Sequence, residues 1–181
     1  MAEATRTLAA FAEFRAQIGS AREPKAELIK NDDETMLMAA EDGLTQLTDG
    51  PISGDKSPTV TAPKLIEQND LEQVDLWAVR EADVVYADEQ CSFGKNLETG
   101  VIKHTNLTGG APAFAGGELL LLKDVVVVNG QSGRYHPRSA DEMYAVALAF
   151  ANSGYHVWSM GYDTEADYPY PFIGVLPQCV A

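Results

Sequence analysis

Two short apolar runs constrain the fold of this 181-residue chain more than any other feature. Leu119–Leu122 and Val125–Val128 are separated only by Lys123 and Asp124. Runs of four apolar residues are typical of buried strands, and the charged pair predicts a tight turn between two strands. One long strand through both runs would fit the same pattern. Neither run approaches the roughly 20 apolar residues that a membrane-spanning helix needs, so we expect no membrane association.

Three helices are predicted from spacing and from end signals. Apolar residues recur every three or four positions over Glu3–Ile18 and over Glu34–Leu47. The best-marked helix follows Ser139, because Glu142 three residues later completes the pattern of a capping box. Gly154 is a natural stop for that helix.

Further short runs of β-prone residues predict additional strands. These runs are Asp75–Val79, Asp83–Ala87, Gly100–His104 and Tyr155–Met160. Asn129-Gly130 predicts a turn, since both residue types tolerate positive φ. The order of elements predicts an α+β fold, a largely antiparallel sheet with helices packed on one side, plus an acidic helical N-terminal portion.

Composition divides the chain into three parts. Residues 1–47 are acidic and predicted to be helical, residues 48–63 contain three prolines and several small polar residues, and residues 64–181 carry the strand signals. The middle part is the best candidate for a loop or linker. At this length we expect one structural domain overall, with residues 64–181 forming the α+β sheet domain.

The charge of the chain is strongly negative and uneven. The formal net charge is −14, and residues 1–100 hold 20 acids against 9 Lys or Arg, whereas residues 101–181 hold 7 against 4. This balance excludes direct binding to a nucleic-acid backbone. An acidic first half either keeps the protein soluble or meets a basic protein partner.

Cysteine usage and the N-terminus indicate a cytoplasmic protein. Cys91 and Cys179 are far apart, which predicts two reduced thiols, and no spacing matches a known metal motif. The charges of Arg6, Glu13 and Arg15 interrupt any apolar segment of a signal peptide. Delivery by a secretion system that reads other signals stays open.

Polar residues that carry chemistry concentrate in two segments on either side of the predicted strand pair. If residues 118–128 fold as a hairpin, both segments reach the same end of the sheet. The candidates for catalysis are His104, Glu118 and Tyr135. The candidates for ligand binding are Thr105, Asn106, Gly109, Gly110, Ser132, Gly133 and Arg134.

Such a cluster has the chemistry to bind an anionic or nucleotide-like ligand. Arg134 offers a planar fork of donors for phosphate or carboxylate, Tyr135 a ring for stacking, and His104 a proton near neutral pH. The alternative is structural: the glycines shape loops and Arg134 pairs with a surface acid. Neither a phosphate-binding loop nor a nucleophile elbow is present in the sequence.

Three motifs resemble the C-terminal module of plant IQ-motif calmodulin-binding proteins and related uncharacterised bacterial and fungal effector or toxin-like proteins. The matching segments are His104-Thr-Asn-Leu-Thr-Gly-Gly110, Ala115-Gly-Gly-Glu118 and Ser132-Gly-Arg-Tyr-His-Pro137, with Leu76-Trp-Ala-Val79 and Val84-Val-Tyr86 as upstream strands. The resemblance covers about residues 74–160. It implies a shared fold and a candidate site rather than a reaction.

The chain departs from that module at three positions of the candidate site. Thr105 and Asn106 stand where the module has paired serines, and Arg134 stands where it has histidine. If that histidine is catalytic in the module, this chain keeps the fold without the activity. The IQ segment is absent, so the resemblance does not imply calmodulin as a partner.

These observations favour a ligand- or protein-binding domain of effector or toxin-related type, with a polar glycine-rich site. One alternative is a nucleotide-dependent group transferase resembling ADP-ribosyltransferase effectors, which alone would call for NAD as a cofactor. Another is an acidic inhibitor or immunity-type protein that blocks a basic partner surface. Whether the chain is an enzyme, and which cofactor it would use, stay open at this point.

Overall fold

The protein forms one seven-stranded sheet, a separate two-stranded ribbon and four helices in the residues that its computed structural model describes, which are 5–52, 66–122 and 125–180. The helices are α1 (Thr5–Ile18), α2 (Ser92–Lys95), α3 (His104–Thr108) and α4 (Ala140–Asn152). The strands are β1 (Thr45–Gln46), β2 (Asp75–Val79), β3 (Val84–Asp88), β4 (Ala115–Leu122), β5 (Val125–Val128), β6 (His156–Ser159), β7 (Tyr162–Asp163), β8 (Tyr168–Pro169) and β9 (Gln178–Val180).

The large sheet is mostly antiparallel, as predicted. Its strand order is β1-β3-β2-β4-β5-β6-β9, and only β5 and β6 run parallel. A parallel neighbour needs a long crossover, and α4 provides it. The two apolar runs form β4 and β5, which pair antiparallel with Leu119 opposite Val128. The predicted turn residues between them, Lys123 and Asp124, lie outside the described residues.

The two long helices pack together on one face of the sheet. Phe11 of α1 meets Phe150 of α4 edge-on with ring centroids 5.2 Å apart, and Phe150 meets Trp77 of β2 at 5.3 Å. Such T-shaped contacts add to the burial of large rings and stabilise the pairing of the layers. This layer agrees with the prediction of helices on one side.

The second face is covered by two smaller apolar clusters. One joins Leu76 and Ala78 of β2 to Leu107 of α3. The other joins Val127 of β5 to Phe172 in the C-terminal segment. Short helices therefore lie on this face too, and the two clusters leave a gap between them.

Two predicted elements were wrong. Glu34–Leu47 is not a helix: a 3-10 turn at Asp32–Thr35 overlaps its start, a second lies at Ala40–Asp42, and strand β1 follows. Its polar groups bond outside a helical pattern, since the Met38 backbone amide donates to the Asn106 carbonyl and the Glu34 side-chain carboxylate accepts from the Lys30 amide.

Gly100–His104 is not a strand either. Gly100 has φ +76°, and the Lys103 amide donates to the side chain of Asn106, which starts α3 at His104. The backbone turn after β5 lies at residues 133–135, and at the predicted Asn129-Gly130 turn neither residue has positive φ. There the Asn129 side-chain oxygen accepts from the amides of Gln131 and Glu118 instead.

The described start of the predicted linker is tied to both long helices. Asp49 accepts hydrogen bonds from the amides of Arg6 and Thr7 in the first turn of α1. The Gly50 amide donates to the Ser153 carbonyl at the end of α4. Residues 53–63 of that linker lie outside the described residues.

Both cysteines are free thiols, as predicted. Within the described residues, no helix is both long and apolar enough to span a bilayer.

Candidate functional site

An open cleft of about 260 Å³ lies on the second face of the sheet, in the gap between the two apolar clusters. Its walls come from the sheet, from the start of α3 and from the loop after β5. The lining residues are Leu76, Glu89, Ile102, Lys103, His104, Glu118, Gln131, Ser132, Gly133, Arg134 and Tyr168.

The hairpin formed by β4 and β5 brings the two predicted segments together at this cleft. Gly116 joins them: its amide donates to the Tyr135 carbonyl at 2.9 Å. A Cβ on Gly116 would lie 3.1 Å from Cδ2 of His104 and 3.2 Å from Cβ of Tyr135. Only a glycine allows this close approach without displacing a neighbour.

His104 is held as a neutral ring. Its Nε2 lies 2.8 Å from the Gly117 carbonyl oxygen. Because a carbonyl only accepts, Nε2 carries the proton and Nδ1 is an acceptor. Burial lowers the pKa of His104 to about 4, and the charges of Arg134 and Lys103 also lower it. Near pH 7 the side chain is therefore a weak base that can accept a hydrogen bond.

Glu118 is the carboxylate on the floor of the cleft. It lies beside Leu76 in the β2–β4 register and accepts a hydrogen bond from the Asn129 amide nitrogen at 3.0 Å. Burial raises the pKa of the Glu118 carboxyl, and the nearby charge of Glu89 raises it further. The pKa of Glu89 is also raised, chiefly by burial.

Arg134 is positioned by the N-terminal part of the chain. Its Nη2 donates to the Leu28 carbonyl at 2.6 Å and to Oε1 of Glu34 at 2.8 Å. Burial alone would raise the pKa of Glu34, but amide hydrogen bonds and the Arg134 charge hold it below its ordinary value. The Nε of Arg134 has no hydrogen-bond partner in the described part of the chain.

Ser132 organises the rim rather than offering a free hydroxyl. Its Oγ accepts from the amides of Arg134 and Tyr135 at 3.3 and 3.0 Å. Its carbonyl accepts from the Tyr168 hydroxyl at 3.1 Å. The ring of His136 stacks at a tilt on Tyr168, with centroids 4.6 Å apart.

Five of the ten predicted site residues line the cleft: His104, Glu118, Ser132, Gly133 and Arg134. The other five have structural positions nearby. The Tyr135 hydroxyl donates to the Ala111 carbonyl and lies 2.8 Å from Oγ1 of Thr108, so it faces away from any stacking role.

Among the remaining four, the Asn106 amide nitrogen donates to the carbonyls of Asp33 and Met36. Gly109 and Gly110 have positive φ and end α3. Thr105 is fully buried, and its hydroxyl has no partner among the described residues.

Four polar lining residues were missed by the sequence analysis. Lys103 and Gln131 adjoin predicted site residues, so a wider window around His104 and Ser132 would have included them. Glu89 and Tyr168 carry no local signal, because only the tertiary fold brings them to the cleft.

A comparison of the chain with known protein families, curated proteins and solved structures found no match. The resemblance drawn from the three motifs therefore stays a prediction. The described residues contain no group of three or more His, Cys, Asp or Glu side chains that could hold a metal ion.

Proposed function

We propose that this domain binds a small polar ligand in the cleft between α3 and the loop after β5. The observation that carries the proposal is the convergence of two distant segments, at His104 and at Ser132–Arg134, on one open volume of about 260 Å³. Clefts that combine open space with a few convergent polar groups are the usual sites of small-ligand binding.

The size of the cleft supports a small ligand over a dinucleotide. A volume of about 260 Å³ lies just below the range of roughly 300–1,000 Å³ for drug-sized ligands. A small metabolite matches this volume better than NAD does, which favours binding over the group-transfer alternative.

The state of the polar groups also supports binding over acid–base catalysis. The neutral ring of His104 is bonded to a backbone carbonyl, and the Ser132 hydroxyl already accepts two amide hydrogen bonds. A nucleophile needs an adjacent base within hydrogen-bond reach, and these two side chains are bonded to the backbone instead.

A thermal-shift screen with small polar metabolites tests the proposal. A true ligand at a hundredfold excess over its Kd stabilises a domain of this size by about 5–10 °C in Tm. Titration calorimetry then gives the Kd, and amide NMR shifts should move at Lys103, His104, Gln131 and Gly133.

A matched pair of variants locates the binding. Glu118→Gln alters the cleft, whereas Glu13→Gln removes the same charge from the exposed side of α1. We expect the first to weaken binding and the second to leave it unchanged. A screen without any stabilising compound, or shifts confined to residues outside the cleft, would contradict the proposal.

A further inference from the structure

The charged residues that line the cleft restrict its possible ligands to one chemical class. We propose that the ligand is a zwitterion whose cationic group binds Glu118 and whose anionic group binds Lys103. This inference rests on the proposed function, since it assigns the ligand of the same cleft.

Glu118 is a half-buried carboxylate without a cationic partner among the described residues. Among the described residues, its side chain accepts one hydrogen bond, from the neutral side-chain amide of Asn129, and no Lys or Arg forms a salt bridge with it. The charge of another carboxylate, Glu89, raises the pKa of the Glu118 carboxyl beyond the effect of burial. A partly desolvated carboxylate next to a like charge is stabilised when a cation enters, so this side of the cleft favours an ammonium group.

Lys103 is the cation available to a ligand in the same cleft. It lines the cleft where α3 begins, and its ammonium forms no salt bridge within the described residues. Its charge lowers the pKa values of Glu34, Glu89 and His104, so its ammonium lies near these three groups. Arg134, the second cation, is already bound to Glu34 at 2.8 Å.

Cationic and anionic lining residues are equal in number, which disfavours a ligand whose charges all have the same sign. Two cations, Lys103 and Arg134, stand against two carboxylates, Glu89 and Glu118, and His104 is neutral. A polyanion such as a nucleotide phosphate would be attracted by Lys103 but repelled by both carboxylates. A ligand with one charge of each sign gains a favourable contact at each end.

Calorimetry with three zwitterions and two single-charge analogues tests this assignment. The zwitterions are glycine, 4-aminobutyrate and 6-aminohexanoate, and the single-charge analogues are butyrate and butylamine. We expect at least one zwitterion to bind the wild-type protein ten times more tightly than either analogue, because each charge adds a contact.

Neutral variants assign each end of the ligand. Glu118→Gln should weaken zwitterion and amine binding about tenfold and should not weaken butyrate binding. Lys103→Gln should weaken zwitterion and butyrate binding about tenfold and should not weaken butylamine binding. Glu13→Gln and Lys95→Gln, exposed residues that do not line the cleft, are the matched controls and should change nothing.

Four outcomes would overturn the assignment. Either single-charge analogue binding as tightly as every zwitterion would do so, and so would full zwitterion affinity in a folded Glu118→Gln variant. A sugar or nucleotide that binds the cleft while zwitterions do not would refute the charge argument and leave the proposed function standing. Failure of every compound in both screens would refute both.

Discussion

The imidazole Nε2 of His104 donates to the carbonyl oxygen of Gly117 at 2.8 Å. This bond ties the first residue of α3 to the middle of β4. On the other face, the indole nitrogen of Trp77 lies 3.2 Å from the carbonyl oxygens of Glu118 and Asn129. Side chains on both faces of the sheet thus hydrogen-bond to the end of the β4–β5 pair. The cleft lies at this end of the pair.

Because His104 is buried as a neutral ring, the free energy of unfolding should fall at acid pH. Its pKa is about 4 in the folded protein and about 6.5 when unfolded, so the unfolded state binds more protons between these values. The contribution of the neutral His104 ring to stability is complete above pH 6.5 and is lost as the pH falls toward 4. We expect wild type to lose about 3 kcal/mol relative to His104→Gln between pH 7.5 and pH 4, measured by urea unfolding. Parallel pH profiles for the two proteins would contradict the neutral buried ring.

Asp75 should give the opposite pH dependence. It lies directly opposite Asp88 in the β2–β3 register, and burial together with that facing charge raises the pKa of Asp75 to about 6. Because the folded pKa is above the unfolded one, its contribution is complete below about pH 4. That contribution is lost as the pH rises through 6.

Removing the charge should therefore stabilise the protein only at higher pH. We expect Asp75→Asn to raise the free energy of unfolding by about 0.5–1 kcal/mol at pH 7.5 and to have little effect at pH 4. Glu72→Gln, an exposed acid three residues earlier, is the control for the net-charge change. A gain that is equal at both pH values would exclude repulsion from Asp88 as the cause.

Gly117 should tolerate no side chain. A Cβ there would clash with the Asn129 carbonyl oxygen and would lie 2.8 Å from Cζ2 of Trp77. We expect Gly117→Ala to cost about 2–3 kcal/mol in urea unfolding, because backbone on one side and a buried indole on the other must shift. At Gly133 the nearest atom to an added Cβ is Cδ1 of Leu28 at 3.5 Å, so Gly133→Ala should stay within about 0.5 kcal/mol of wild type. Equal costs at the two positions would argue against this packing.

The Arg134–Glu34 pair should behave as a buried ion pair. Their side chains are 13% and 5% exposed, so removing one charge leaves the other poorly solvated. We expect Glu34→Gln to cost about 3 kcal/mol. The double variant Glu34→Gln/Arg134→Met should cost at least about 1 kcal/mol less than the two single changes together. Additive costs in a double-mutant cycle would indicate that the two side chains act independently.

The elements that the sequence predicted well have local causes. Strands β2 and β3 follow from short β-prone runs, and β4 and β5 from two apolar runs around a charged pair. Helix α4 begins where Ser139 was predicted to cap it, since the Ser139 Oγ accepts from the Glu142 amide at 3.1 Å. The Glu142 carboxylate returns to the Arg138 amide and to Arg22, so the capping box is only half formed.

The elements that the sequence missed depend on distant partners. Over Glu34–Leu47 the helical spacing of apolar residues was misleading, because Met38 is buried whereas Leu37 is 56% exposed. That segment is irregular in structure and forms hydrogen bonds with Asn106. The meeting of His104 with Ser132 was predictable from the hairpin, but the arrival of Tyr168 in the cleft was not, since it follows from the path of the C-terminal segment.

Arg134 is held in the cleft by groups that precede it by 100 and 106 residues. A fragment cut to the central strands would keep most of the sheet and lose the anchor of this arginine. Changes near Leu28 or Glu34 therefore offer a route by which ligand preference could be retuned while the residues around the ligand stay the same. The first fifty residues belong in any experiment on recognition, and in any reading of how the specificity of such a domain diverges.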